Sequence, residues 1–221
     1  MLPNIDLSRS DQLAVTDLWR IRLQNHTHDT YRGRLLSKFP EDLRVYQHII
    51  ENSAPDVIIE LGSHDGGSAL WFADQLQTFF GNGEVISLDI NMVMPMDRDD
   101  ITFIHGDLTD PAVVEQVTEL VRDRSCMVVE DSAHTYDVTR RALELYSPFV
   151  YGSQWMVVED GVVDEERLRL PYWPSGVQSA IRDFCANEQG KRFTQHSLTP
   201  YGLTCHHSGW LQSLDQRVVY G

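Results

Sequence analysis

From Asp56 to Asp160 the chain repeats one pattern: a short apolar run rich in β-branched residues, with an acidic residue in it or just past its end. The runs are DVIIEL (56–61), EVISLD (84–89), ITFIH (101–105), CMVVED (126–131) and QWMVVED (154–160). Between and after them lie stretches with helical spacing, at 68–80, 111–122, 136–146 and 177–187. Strands alternating with helices bury their apolar surface best as a mostly parallel sheet covered on both faces. Two later runs, RFTQHS (192–197) and LTCHH (203–207), are expected as further strands. The linking SLTPYGL carries Pro200 and Gly202, which mark the turn of an antiparallel hairpin at one sheet edge. The expected fold class is therefore α/β: a Rossmann-like, seven-stranded, mostly parallel sheet with helices on both faces.

A chain of 221 residues fits one such domain and is long enough to bury its core without disulfides or structural metals. Thirty-three acidic against 18 basic residues give a net charge of −15, which repels phosphate backbones and anionic lipid, so no nucleic-acid or membrane partner is expected. No apolar run approaches the roughly 18–20 residues that span a bilayer. The start, MLPNIDLSRSD, lacks a basic segment followed by an apolar one, which points to the cytoplasm. Cys126, Cys185 and Cys205 are odd in number and widely spaced, and they read as reduced packing residues. Residues 1–40 hold a helix candidate around 11–23 and then the His- and Tyr-rich NHTHDTYRGRLLSKFPED. This segment is expected to be a lid over the site or an arm on a neighbouring subunit, with residues 41–221 as the domain proper. The long segment VVDEERLRLPYWPSG (162–176) is an insertion of the kind that is functional or mobile.

The first strand runs into GSHDGGS (62–68), a glycine-rich turn at the carboxyl end of a strand, where doubly wound folds bind ligands. Its spacing is not G-x-G-x-x-G, which weakens a dinucleotide reading, and alone it is equally a tight turn without a ligand. Glu60, before the turn, suits a cationic amino group or a structural water rather than pyrophosphate. Asp89 ends the second strand, where a carboxylate can take both hydroxyls of a ribose. In FIHGDLTD, the side chain of Asp107 and the backbone amide of Leu108 can meet an adenine edge, although Asp107 also reads as a turn residue. Asp110 reads as the cap of the helix that starts at Pro111. A nucleoside ligand without phosphate demands fits this set, S-adenosylmethionine better than NAD.

The fourth and fifth strands end in VVEDSAH (128–134) and VVEDG (157–161). Adjacent parallel strands bring Asp131, Glu159 and Asp160 to one sheet edge, and clustered carboxylates need a compensating cation or shared protons. Oxygen ligands suit Mg²⁺, Ca²⁺ or Mn²⁺. His134, three residues past Asp131, can accept a hydroxyl proton as a neutral imidazole; its alternative is a helix-start residue bonded to backbone. Glu130 is turned away from Asp131 by strand alternation.

The string YRGRLLSKFPEDLRVYQHIIENSAPDVIIELGSHDGGSALWFA, followed by VISLDI, GDLTDP, VVEDSAHTYD and WMVVEDG, resembles the cephalosporin hydroxylase family of class I methyltransferase-fold proteins. That family includes rhamnosyl and macrolide-sugar O-methyltransferases. The resemblance covers roughly residues 31–165, and its most specific part is D-S-A-H paired with the downstream E-D. It implies S-adenosylmethionine along Glu60, Gly62, Ser68, Asp89 and Asp107, Mg²⁺ at Asp131, Glu159 and Asp160, and His134 as general base. It also implies a homo-oligomer, since the N-terminal segment has aromatic and apolar residues with no obvious core to join.

The function expected on these grounds is metal-dependent methyl transfer to a small-molecule hydroxyl, on a sugar diol of a natural product or on a catechol. Tyr31, Tyr172 and Trp173 are either an aromatic wall for that acceptor or loop packing. Two alternatives differ in class: a cephalosporin-hydroxylase-like oxygenation component, which lacks the second histidine of an iron facial triad, and a non-catalytic partner protein that binds S-adenosylmethionine.

Overall fold

The computed structural model describes residues 15–215. Along the chain it contains α1 (Val15–His26), β1 (Thr30–Tyr31), β2 (Arg34–Leu35), α2 (Pro40–Ser53), β3 (Val57–Leu61), α3 (Gly67–Phe80), β4 (Glu84–Asp89) and β5 (Ile101–His105). There follow α4 (Pro111–Val121), β6 (Cys126–Glu130), α5 (Tyr136–Tyr146), β7 (Trp155–Val158), α6 (Val177–Ala186), β8 (Phe193–His196) and β9 (Trp210–Ser213). The main sheet has seven strands in the order β5-β4-β3-β6-β7-β9-β8. The first five are parallel, and β9 is antiparallel to both β7 and β8. The α/β, Rossmann-like arrangement is thus the one the alternation implies. Positions 11–14 of the first helix candidate lie outside the described residues.

Period-two alternation sorts the strand side chains onto two faces. Val57, Ile59, Leu61, Cys126, Val128, Met156 and Val158 pack in one core, with residues of α4, α5 and α6. Ile58, Met127, Val129, Trp155 and Val157 pack in the other, with α2 and α3. All these strand side chains are at most 7 % exposed, and each such burial is worth roughly 1.5–3 kcal/mol. A one-residue slip in register would exchange the two faces, so the register is firmly set. The same rule places Glu60, Asp131 and Glu159 on the α2/α3 side, and Glu130 on the other.

Two expectations need correction, and one helix is added to those expected. LTCHH is not a strand, because its backbone bonds elsewhere: Cys205 N donates to Asp42 Oδ2 (2.9 Å) and His206 N to the Thr204 hydroxyl (3.0 Å). The partner of β8 is β9 instead, with Trp210 opposite His196. Before Asp56, where the strand–helix alternation places nothing, Pro40–Ser53 forms α2, with Pro40 in its first turn and Val45, Tyr46, Ile49 and Ile50 buried at helical spacing. The N-terminal segment also joins this chain's own cores: Trp19 and Leu23 pack on Phe39, Val162 and Cys205. The β1–β2 hairpin crosses the start of α3 so closely that a Cβ on Gly67 would meet Leu35 O at 2.0 Å. No helix among the described residues is long and apolar enough to cross a membrane.

Backbone pairing continues one residue past the strands. Gly62 N donates to Leu88 O, Asp131 N to Leu61 O and Glu159 N to Glu130 O, each at 2.8 Å. The turn glycine and the two later acids therefore stand side by side at the carboxyl edge.

Candidate active site

A cavity of about 760 Å³ opens over that edge, lined by the ends of β3, β4, β5 and β6, by Asp160 after β7, and by His26–His28 and Leu35–Ser37 from the N-terminal segment. Its size lies within the range of roughly 300–1,000 Å³ for small-molecule sites. Gly62 has φ +108°, and a Cβ there would stand 2.0 Å from Asp131 O, so only glycine lets the turn run this close to the neighbouring strand end.

On the β4/β5 side, Asp89 is held by local backbone: its Oδ2 accepts from His64 N (2.8 Å) and its Oδ1 from Asn91 N (2.7 Å). The turn after β3 is thereby tied to the end of β4. Asp107 Oδ1 accepts from Thr109 N and from the Thr109 hydroxyl, both at 2.8 Å, and these bonds hold its carboxyl below the usual range. The turn reading of Asp107 therefore holds, while Asp107 and Leu108 still line the cavity. Asp110 caps α4, accepting from Ala112 N (2.9 Å).

Ser68 lines the cavity, but Glu60 does not. Alternation turns Glu60 down beneath the turn, where it is fully buried and accepts from Ser87. Burial pushes its pKa up to about 7 against the pull of Lys38 and of the Ser68 and Ser87 hydroxyls.

On the β6/β7 side, Asp131, His134 and Asp160 each present one ligand atom, all within 4.8 Å of one another. His134 Nε2 lies 3.6 Å from Asp131 Oδ1 and 3.7 Å from Asp160 Oδ2, while its Nδ1 is buried without a hydrogen-bond partner. Burial alone would lower the imidazole pKa, but Asp160, Asp131 and further carboxylates raise it above the ordinary value. His64, His134 and Asp160 adopt left-handed φ values of 47°, 52° and 55°. Such backbone costs energy in non-glycine residues and collects at functional sites. Glu130 points away, as alternation requires, and takes a hydrogen bond from Ser132; burial raises its pKa.

Glu159, the third expected ligand, is held inside the protein. It is 2 % exposed, does not line the cavity, and accepts from Lys38 Nζ with both oxygens (2.7 Å) and from Tyr46 OH (2.6 Å). Lys38 also donates to Asp131 Oδ2 (2.8 Å). Burial would lower the lysine pKa, but Asp131 and Glu159 hold it above its usual value. His206 completes this layer: its Nδ1 accepts from Asp160 N (3.3 Å) and its Nε2 sits 3.8 Å from Glu159 Oε2. Lys38, Tyr46 and His206 carry no motif of their own. The available signal was that Glu159 shares the face of Val157, two residues before it.

The aromatic wall is not built from the expected residues, since none of the three lines the cavity. Tyr172 is 79 % exposed, Trp173 packs on the core, and Tyr31 OH donates to Asp74 (2.8 Å). The ring-bearing residues that line the cavity are His26, His28, His64 and His134.

A family model described as Rhamnosyl O-methyltransferase/CmcI matches residues 24–214. A Rhamnosyl O-methyltransferase of Mycobacterium leprae is 31 % identical over 160 residues, covering 70 % of this chain and 69 % of the relative. That of Mycobacterium tuberculosis is 28 % identical over 165 residues, covering 72 % of this chain, which spans 66 % of that relative's length. Among solved structures, CmcI in a Mg–SAM form superposes with a TM-score of 0.63 at 21 % identity, over 85 % of this chain and 77 % of that one. The MycE methyltransferase of mycinamycin biosynthesis, in complex with Mg, SAH and mycinamycin VI, gives 0.56 at 16 %, over 94 % and 56 %. At these identities the structural likeness carries the fold alone.

Proposed function

The chain belongs to the Rhamnosyl O-methyltransferase/CmcI family, and from that premise we propose that it moves a methyl group from S-adenosylmethionine to a hydroxyl of a small molecule, with Mg²⁺ or Mn²⁺ at Asp131 and Asp160. One observation carries the reading: a single cavity is lined both by the nucleoside-type acid Asp89 and by the Asp131–His134–Asp160 cluster. Donor and acceptor chemistry thus meet in one enclosure.

Asp89 takes the ribose hydroxyls with a carboxylate already fixed by backbone amides, and Asp107 with the Leu108 amide takes the adenine edge. Gly62 and Ser68 border the methionine end, with Glu60 supporting the turn from below. When bound, S-adenosylmethionine supplies an electrophilic methyl and the cation supplies a Lewis acid that lowers the pKa of a hydroxyl. The donor set fits such a cation, because a carboxylate oxygen of Asp131 and one of Asp160 converge on a polar opening, with the His134 imidazole beside them. His134 holds the proton that leaves the hydroxyl as the C–S bond breaks and the O–CH₃ bond forms, and the proton goes onto its Nε2. Positioning of oxygen, methyl and sulfur in line supplies much of the rate. His26–His28 and Leu35–Ser37 act as a lid that excludes water. The acceptor class is a vicinal diol on a sugar, whose two oxygens suit a shared cation; a catechol offers the same pair.

Purified protein incubated with labelled S-adenosylmethionine and a panel of sugar diols and catechols should label an acceptor, lose activity with chelator and regain it with Mg²⁺ or Mn²⁺. His134→Ala should lower the rate by about 10²–10⁴ while keeping metal affinity. Loss of metal affinity in that variant would instead make His134 a ligand, and turnover by rigorously metal-free protein would end the metal reading.

A further inference from the structure

His26 closes α1 and lines the cavity, and its imidazole is fixed on two sides. Nδ1 is hydrogen-bonded to Leu23 O, one of the four carbonyls that a helix end leaves without an intrahelical partner. The ring stands edge-on to Phe39, with centroids 5.4 Å apart and planes at 67°. A carbonyl oxygen can only accept, so Nδ1 carries the hydrogen of the neutral ring and Nε2 is left as a lone-pair acceptor. No described residue bonds to that Nε2.

The packing also fixes which part of the cavity His26 borders. Phe39 is 2 % exposed and packs with Trp19 and Leu23 of α1 and with Val162 and Cys205. Val162 follows soon after Asp160 in the chain, and Lys38, next to Phe39, donates to Asp131 at 2.8 Å. The imidazole therefore stands toward the Asp131–His134–Asp160 side, not the Asp89–Asp107 side.

We infer that His26 orients the acceptor: its Nε2 takes a hydrogen bond from an acceptor hydroxyl other than the one methylated, and so sets which oxygen of a polyol comes into line with the methyl group. This rests on the acceptor reading proposed above and adds the contact that selects among the acceptor's hydroxyls. No bond is made or broken at His26, and the bonded hydroxyl keeps its proton. A nitrogen that can only accept pairs with a hydroxyl but not with an ether or methoxy oxygen in its place, so an acceptor lacking that hydroxyl is disfavoured.

The first measurement needs no ligand. Long-range ¹H–¹⁵N correlation spectra of the labelled protein, with the His26 signals identified by their loss in His26→Gln, should show the Nδ1–H form; the Nε2–H form overturns the inference. The second compares variants on methyl hexopyranosides with cis and trans diols, using labelled S-adenosylmethionine. Asparagine can keep the bond to Leu23 O but offers nothing at the Nε2 position, whereas glutamine brings an amide oxygen near that position and gives up the bond to Leu23. His26→Asn and His26→Phe should raise the glycoside KM about three- to tenfold, the worth of one neutral hydrogen bond, and spread the methyl group over more than one oxygen. His26→Gln should recover most of both losses. Affinity for S-adenosylmethionine should match the parent in all three, which separates a bond to the acceptor from one to the ammonium of the cofactor. A merely structural role gives the opposite order, with His26→Asn near the parent and His26→Gln impaired, and that order overturns the inference. So does a cofactor affinity that falls in step with the glycoside KM. A parent protein that methylates none of the glycosides removes the acceptor reading itself, and the role of His26 with it.

Discussion

The two halves of the sheet's carboxyl edge are built on opposite principles. After β4 and β5 each acid is held by backbone two residues ahead, Asp89 by Asn91 N, Asp107 by Thr109 N and Asp110 by Ala112 N, with one longer tie from His64 N, 25 positions away, to Asp89. After β6 and β7 the acids are held from far away: Lys38 reaches Asp131 across 93 positions and Glu159 across 121. Local side chain-to-backbone bonds leave a carboxylate partly solvated and cheap to maintain. Buried carboxylates need charged partners brought in by the fold, because an uncompensated one costs several kcal/mol. The first half is suited to hydrogen-bonding a neutral sugar, the second to holding a cation.

The largest expected effect separates the halves. Removing an outer partner of a metal ligand costs about 10–100-fold in metal affinity, so replacing a proposed ligand carboxylate in Asp160→Asn should cost at least the upper figure, ~100-fold. S-adenosylmethionine affinity measured without metal should hardly move. Asp89→Ala should do the reverse, losing about tenfold to a hundredfold in cofactor affinity as charge-assisted bonds to the ribose go, with Mn²⁺ binding unchanged. Calorimetric titration of both variants with both ligands checks this. If either variant weakens both ligands equally, the edge is one coupled site and the contrast between halves is wrong.

The same contrast explains what could be read from the sequence. Strand ends, glycine turn and the local acids were legible because each depends on residues within a few positions: Asp110 followed by Pro111 announces a capped helix, and EVISLD announces an acid at a strand end. The partners of the metal half were not. Nothing in SKFPED marks Lys38 as a buried cation, and nothing near Tyr46 or His206 marks them as neighbours of Glu159. Glu159 itself is instructive, since E-D puts two acids at one strand end, yet only Asp160 lines the cavity, while Glu159, on the face of Val157, is held by Lys38 and Tyr46. LTCHH fails as a strand for a related reason: Asp42, 163 positions away from Cys205, takes its backbone N–H.

Glu60 lies beneath the junction of the halves, and its pKa gives the next effect. Its ordinary value is 4.5, and burial raises it to about 7 in the folded protein. Well below pH 4.5 both folded and unfolded chains carry the proton, so this group contributes nothing. Between the two values the unfolded chain has released the proton and the folded chain keeps it, so stability falls as pH rises. Above pH 7 the full penalty is present, at most about 3 kcal/mol for a shift of this size. Glu60→Gln cannot ionise and should remove that slope. Chemical denaturation at pH 5.5 and pH 8 should show the variant gaining on the parent at the higher pH. Parallel curves would mean that Lys38 keeps Glu60 ionised throughout, making it a charged member of the metal half.

The smallest effect tests whether an acid on the cofactor half serves the fold or the ligand. Asp110 and Asp107 are both exposed and both bond to backbone two residues ahead, but only Asp107 lines the cavity. Asp110→Ala removes the side-chain cap of α4 and frees the Ala112 N–H, a loss worth about 1 kcal/mol. Because α4 packs through Val113, Val117 and Val121 into the core beneath β5, that loss should appear as lower global stability. Cofactor affinity should stay at the parent value, since Leu108 is anchored independently, its carbonyl accepting from Tyr146 OH at 2.9 Å. Asp107→Ala should lower both quantities, because the same carboxylate closes the turn and lines the cavity at the proposed adenine position. A denaturation curve and a cofactor titration on the two variants distinguish them. If Asp110→Ala weakens the cofactor as much as Asp107→Ala does, the turn 106–110 acts as one unit and Asp107 makes no contact of its own.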